Sequence, residues 1–181
     1  MQYSSIYTLF STTADDARYL LNSLTHPMNC RRVLLRIVMS ELVAYVDGGS
    51  HGNPGPSGIG VVIQDSTGGK FSIAKWIGHH DNNVAEYVAL LEAIQVALTM
   101  NAKALRVYSD SEVVVHQMNG VYTCQSPRLY SLNWTCRKLV RSLEFSIMRI
   151  PREANGEANN LANCAVRALG PKRPRKKLRS K

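Results

Sequence analysis

Residues 42–64 read LVAYVDGGSHGNPGPSGIGVVIQ. Leu42 to Asp47 is a short β run, Gly58 to Gln64 is a second, and the glycines, asparagine and prolines between them are turn residues. The first run ends on a carboxylate, Asp47. A third β run, Phe71 to Ile77, follows another set of turn residues. The period then changes. Between Val84 and Met100 the residues Tyr87, Leu90, Leu91, Ile94, Ala97 and Leu98 recur at the spacing of one helix face, which predicts a helix. Ala104 to Ser109 reads as a fourth strand, Glu112 to Asn119 as a short helix, Arg128 to Leu143 as a longer helix and Glu144 to Ile150 as a fifth strand. Ala158, Leu161, Ala162, Ala165 and Leu169 line a last helix. Three strands followed by strands alternating with helices predict an α/β fold, a five-stranded mixed sheet flanked by helices.

The chain has 181 residues, the size of one ordinary domain with extensions. Its formal charge is +9, but seven of the 22 Lys and Arg residues lie in Pro171 to Lys181 beside no acid. Residues 1 to 38 hold four basic and two acidic side chains, which leaves eleven of each sign in residues 39–170. The body is formally neutral, so attraction to polyanions belongs mostly to the tail, whose composition predicts disorder. The expected organisation is an N-terminal extension over 1–38, partly helical or poorly ordered, a folded domain over 39–170 and a basic tail over 171–181. Met39 reads equally well as the start of the compact domain. Ala17, Leu20, Leu21 and Leu24 have helical spacing behind a cap at Thr13 to Asp16.

Cys30, Cys124, Cys136 and Cys164 form no C-x-x-C pair, so neither a zinc site nor a disulfide framework is suggested, and a cytoplasmic protein fits. Val33 to Met39 is too short to span a bilayer, and no secretory signal is visible. Neither glycine-rich phosphate loop occurs, which argues against a nucleotide binder.

Asp47 ends the first predicted strand, Asp110 follows the fourth, and Glu86 stands in the first turn of the long helix. Strand ends of this kind deliver side chains into a ligand crevice. Taken singly, each acid reads as a strand-end or helix-start residue, the latter favoured by the helix dipole. Taken together, three clustered carboxylates need a compensating positive charge, and oxygen-only ligation is the preference of Mg²⁺.

Four segments, YVDGGSHGNPGPSGIGVVI (45–63), DNNVAEYVALLEAI (81–94), VYSDSEVVVHQMNG (107–120) and IPREANGEANNLANCAVRAL (150–169), resemble the signature segments of type 1 ribonuclease H, in that family's order. The resemblance covers Glu41 to about Leu169. It implies the ribonuclease H fold, in β-β-β-α-β-α-β-α order, and endonucleolytic cleavage of the RNA strand of an RNA–DNA hybrid. It also implies two Mg²⁺ ions, with Mn²⁺ able to substitute, held at Asp47, Glu86, Asp110 and Asn159, with Asp47 bridging both. Two such ions activate a water and stabilise the leaving oxygen.

The fourth position departs from the family. Where the pattern is Asn-x-x-Ala-Asp, this chain reads Asn155-Gly156-Glu157-Ala158-Asn159, an amide without charge. Weaker metal binding on that side and slower catalysis are expected. The alternative is a ribonuclease H-like module that binds nucleic acid but no longer turns over.

The resemblance further implies hybrid contacts from Gly48 through its backbone and from Asn53, Asn82 and Asn83 at the minor-groove edge, where the 2′-hydroxyl distinguishes RNA from DNA. Asn53 also reads as a turn asparagine and Asn82 as a helix N-cap. Arg152 stands near the place of a mobile catalytic histidine found in some members, and reads either as a group acting at product release or as a solvated loop arginine. Glu112 replaces a glutamine that often touches RNA. Trp76 and Trp134 fall in core-patterned segments and are expected to pack. A monomer is expected, without membrane contact, its basic tail touching phosphates.

Overall fold

The computed structural model describes residues 41–169. The segments 1–40 and 170–181 lie outside it, and with them the predicted N-terminal helix, the basic tail and Cys30. Strands β1 (Glu41–Ser50), β2 (Gly55–Asp65) and β3 (Lys70–His80) precede helix α1 (Asn82–Thr99). Then come β4 (Ala104–Ser109), α2 (Glu112–Met118), α3 (Pro127–Leu139), β5 (Glu144–Arg149) and α4 (Gly156–Leu169). The five strands form one sheet in the order β3-β2-β1-β4-β5. β1 and β2 pair antiparallel, as do β2 and β3, whereas β1–β4 and β4–β5 are parallel. This is the mixed sheet predicted from the sequence. No described helix is long and apolar enough to cross a membrane.

Strand alternation decides what each face buries. Leu42, Ala44 and Val46 of β1 and Ile59, Val61 and Ile63 of β2 join the core formed with Tyr87, Leu90 and Ile94 of α1. The opposite face carries Gly58 and Gly60, and α4 packs there so closely that a Cβ on Gly60 would collide with the backbone oxygen of Ala158. Ala158, Ala162, Ala165 and Val166 are the buried residues of α4, a small-residue stripe that permits this approach.

The helix predicted to run from Arg128 to Leu143 ends at Leu139. Val140–Ser142 tightens into a 3₁₀ turn, closed by Leu143 N–H donating to the Val140 carbonyl at 3.0 Å. That tighter turn lets Leu143 extend and Glu144 N–H reach the Lys103 carbonyl at 2.9 Å, starting β5. Trp76 and Trp134 are exposed, by 38% and 54%, not packed as expected. Lys138 Nζ lies 4.9 Å above the Trp134 ring, so the indole instead faces a cation. Cys124, Cys136 and Cys164 are free thiols.

Candidate active site

The parallel pairing of β1 and β4 brings two of the acids together. Tyr45 is in register with Tyr108, their rings stacked 5.1 Å apart, and Asp47 and Asp110 each follow two residues later. Both therefore emerge at the C-terminal ends of neighbouring strands. Glu86 arrives from the other face of the sheet, in the second turn of α1 and not in the first as expected, because the helix already begins at Asn82. Gly48 makes this possible, because a Cβ there would collide with the backbone of Ala85 and Glu86. With only hydrogen at that position α1 sits against the strand end, and Gly48 N–H donates to Glu86 Oε2 at 3.2 Å.

These carboxyls are costly to ionise. Asp47 is 4% exposed and Glu86 7%. Burial, then the charge of Asp110, raises the Asp47 pKa to about 6, with the Arg152 guanidinium opposing. Glu86 is pushed well above the usual range by burial first, then by Asp47 and Asp110, against the Gly48 N–H and Arg152. All three acids are therefore within electrostatic reach of one another. Among the described residues, no three His, Cys, Asp or Glu side chains are drawn into a metal-binding cluster. Glu86 instead gives an oxygen to Gly48 and Asp110 one to Asn155. The donor chemistry nevertheless suits a hard cation: the three groups supply oxygen only, and the raised pKa values of Asp47 and Glu86 record a need for positive charge.

Asn155 was legible as part of a motif but not in its role. Its side chain, 1% exposed, donates from Nδ2 to Asp110 Oδ1 at 2.7 Å and to the Val46 carbonyl at 2.9 Å. It thus ties the β1 end, the β4 end and the 3₁₀ turn Arg152–Asn155 that precedes α4. Its Oδ1 is buried with no hydrogen-bond partner.

Asn159 lies on α4 beside Arg152 and Asn163. Asn163 Nδ2 is 2.8 Å from the Asn159 side-chain oxygen, and with the amide turned the other way that oxygen accepts from Arg152 Nε at 3.1 Å and Nη2 at 2.8 Å. The far end of Asn163 meets His51 Nε2 at 3.2 Å, so a chain of polar side chains runs from the β1–β2 loop to Arg152. The i, i+4 spacing of 159 and 163 was readable in the sequence; the His51 link was not.

Asn53, Asn82 and Asn83 gather at one end of the sheet. Asn53 Oδ1 accepts from Asn82 N–H at 3.0 Å, so it satisfies a free donor at the start of α1. Asn82 is the first residue of α1, behind an Asp81 cap, and its Oδ1 accepts from Ser50 N–H at 3.3 Å. Their amide nitrogens have no partner among the described residues, and Asn82 and Asn83 are exposed. Glu112 is engaged elsewhere: it accepts from Tyr122 Oη at 2.8 Å and pairs with Arg149 Nη1 at 2.8 Å.

Comparison with known proteins agrees with this architecture. The family described as Reverse transcriptase-like matches residues 45–165. Ribonuclease HI of Halobacterium salinarum is 35% identical over 125 residues, 68% of this chain and 63% of that protein. Its crystal structure superposes with a TM-score of 0.67 at 34% identity, covering 70% of this chain and 97% of the solved one. LC11-RNase H1, solved in complex with an RNA/DNA hybrid, gives a TM-score of 0.65 at 37% identity, covering 70% and 96%. A bifunctional protein of Mycobacterium tuberculosis is 35% identical over 131 residues, 71% of this chain and 36% of its own length. The chain thus spans under two thirds of these two curated relatives. It belongs to the type 1 ribonuclease H family.

Proposed function

We propose that the chain is a divalent-metal-dependent endonuclease that hydrolyses the RNA strand of RNA–DNA hybrids. The observation that carries this reading is the convergence of Asp47, Glu86 and Asp110 from a strand end, a helix start and a neighbouring strand end. Two of the three carboxyls are raised by burial and mutual repulsion. A metal bound there, Mg²⁺ with Mn²⁺ as substitute, would activate water and offset charge on the leaving oxygen. The chain's own residues supply the rest. Asp47 is coupled by charge to both other acids, Asn155 holds the Asp110 carboxylate, and the amide groups of Asn53, Asn82 and Asn83 are available for the minor groove and its 2′-hydroxyls. Similarity to a ribonuclease H1 solved with a hybrid supports the substrate class. The same reading takes the chain as a cytoplasmic monomer whose basic tail adds phosphate contacts.

The test is cleavage of an end-labelled hybrid in Mg²⁺ and in Mn²⁺ by the native chain and by Asp110→Asn. Metal-dependent cutting of the RNA strand, abolished in the variant, is expected. Undiminished cutting by Asp110→Asn would remove the site assignment, and a hybrid bound but uncut in both metals would leave a binding module.

A further inference from the structure

β1, β4 and β5 run parallel, so their C-terminal ends lie along one edge of the sheet. Asn53 and Asn82, tied to each other and to Ser50, stand on the β1–β2 side of that edge. Asp47 and Asp110 follow at the ends of β1 and β4, and Arg149 ends β5. Ser109 and Arg149 are register partners in the β4–β5 ladder, and Ile150 N–H donates to the Ser109 carbonyl at 3.0 Å. Arg149 therefore stands across from the residue that precedes Asp110. Strand spacing puts its backbone about 5 Å from the end of β4 and about 10 Å from that of β1. The carboxylates are bracketed, with amides on one side and a guanidinium on the other.

That guanidinium is held without being used up. Its Nη1 pairs with Glu112 Oε2 at 2.8 Å, and the other Glu112 oxygen accepts from Tyr122 Oη at 2.8 Å. His116 meets the Tyr122 ring edge to face, with centroids 4.6 Å apart. Beyond the ion pair with Glu112, Arg149 has no polar partner among the described residues, and its fork carries five N–H donors. The two side chains are 53% and 44% exposed, and an exposed pair of this kind adds little to the stability of a fold. A planar fork with free N–H groups matches the oxygens of a phosphate.

We propose that Arg149, tethered by Glu112, binds a phosphate of the RNA strand next to the one that is cut, on the side of the carboxylates opposite the asparagines. The inference rests on the proposed hydrolase reading and deepens it. The strand lying over Asp47 and Asp110 is the one cut, and continued past β4 it meets Arg149 next. A lone carboxylate at this edge would repel that strand, whereas the paired Glu112 aims a cation at it. Glu112 is thus a positioning residue, acting only through Arg149. A phosphate contact reads neither base nor sugar, so the choice of RNA over DNA stays with Asn53, Asn82 and Asn83.

The experiment measures binding of a fluorescent hybrid to the full chain by anisotropy, in chelator and across a series of NaCl concentrations, together with kcat and KM for its cleavage in Mn²⁺. Arg149→Ala is expected to bind about three- to tenfold more weakly at low salt, with the slope of log affinity against log salt reduced by about one. KM should rise by a similar factor with kcat moved less than about twofold, because the contact is made equally before and during the reaction. Arg149→Lys keeps the charge without the fork and should fall between. By charge alone, Glu112→Ala would tighten binding; loss of the tether weakens it, about two- to threefold. Glu112→Gln, which keeps an oxygen for the guanidinium, should bind as the native chain does. A hybrid whose DNA strand is made of neutral methylphosphonates should show the same loss for Arg149→Ala, since the contact is to the RNA strand. Unchanged affinity or salt slope in Arg149→Ala, a loss confined to kcat, tighter binding by Glu112→Ala, or a loss that vanishes with the neutral DNA strand would overturn the inference. Arg149→Gln, with the same expectation, replaces the alanine variant if that does not fold. A native chain that binds no hybrid refutes the hydrolase reading and this inference together. Native binding and cleavage with Arg149→Ala unaltered refute the inference alone, and the anisotropy decides it even where the native chain does not cut.

Discussion

Asn159→Asp separates a reading of this position by charge alone from a reading by its neighbours. By charge alone, a fourth acid beside three should lower the stability of the metal-free protein by about 1 kcal/mol or more, because like charges repel. The structure supplies what that reasoning lacks. A carboxylate has an oxygen for each side, so it can accept from Asn163 Nδ2 on one and from Arg152 Nε and Nη2 on the other, where the amide leaves one side facing donor to donor. A hydrogen bond to a charged group contributes about 1.5–3 kcal/mol. The Arg152 pair, on an exposed side chain, adds about 0.5 kcal/mol. Repulsion from the other acids removes about 1–2 kcal/mol at the effective dielectric of a partly exposed site. The balance lies between zero and about 2.5 kcal/mol in favour of the variant. In chelator Asn159→Asp should therefore melt at or above the native chain, by up to about 10 °C.

Metal then widens the difference. A further negative charge at the site should strengthen Mg²⁺ binding about tenfold, which adds about 1.4 kcal/mol of stability at saturating metal. The Mg²⁺ concentration for half-maximal hybrid cleavage should fall by a similar factor. Melting temperature and cleavage, followed across one Mg²⁺ titration for both forms, check all of this. If the variant melts many degrees lower in chelator, Arg152 and Asn163 do not cradle residue 159 as described. If metal stabilises both forms equally, position 159 lies outside the influence of the metal site.

Acidification should stabilise the metal-free protein. Asp47 has a folded pKa of about 6 against an ordinary 3.8, so its ionised form is penalised in the fold. That penalty is absent below 3.8 and complete above 6, up to about 3 kcal/mol, with Glu86 acting in the same direction. Melting in chelator should therefore rise as pH falls from 7 to 5, and a flat profile would mean that the acids are not strained. Asn155→Ala removes a buried donor from the Val46 carbonyl and frees Asp110, so it should cost about 1–3 kcal/mol and weaken Mn²⁺ binding severalfold; unchanged Mn²⁺ affinity by calorimetry would reduce Asn155 to a structural tie. Deleting Pro171 to Lys181 should flatten the salt dependence of hybrid binding while keeping the preference for hybrid over duplex DNA, because seven charges act on phosphates without reading the sugar. Loss of that preference on truncation would mean that the tail takes part in recognition.

The elements legible in the sequence were those whose local period agrees with the tertiary surroundings. β1 alternates because one face meets α1, and α1 keeps a 3.6-residue period because one stripe meets the sheet, so both could be read from residue spacing. Arg128 to Leu143 misled because Leu139 and Val140 continue the helical period, while the backbone must tighten there to enter β5. Asp47 and Asp110 were legible because a carboxylate at the end of an apolar strand is a local anomaly. Asn155 was not, since its bond to Val46 spans 109 residues and leaves no periodic trace.

Position 159 shows the limit most clearly. A sequence reports that a charge is missing there, and from the missing charge alone one infers a weakened metal site. What the loss does depends on neighbours that reach the position from elsewhere in the chain: Arg152 from the preceding 3₁₀ turn, Asn163 from the next turn of α4, and His51 behind it from the β1–β2 loop. All the atoms presented to the side chain of residue 159 are donors, so a carboxylate there would be shared with the arginine. The amide holds the same arginine without cancelling its charge. The asparagine therefore removes a negative charge that the arginine would otherwise share.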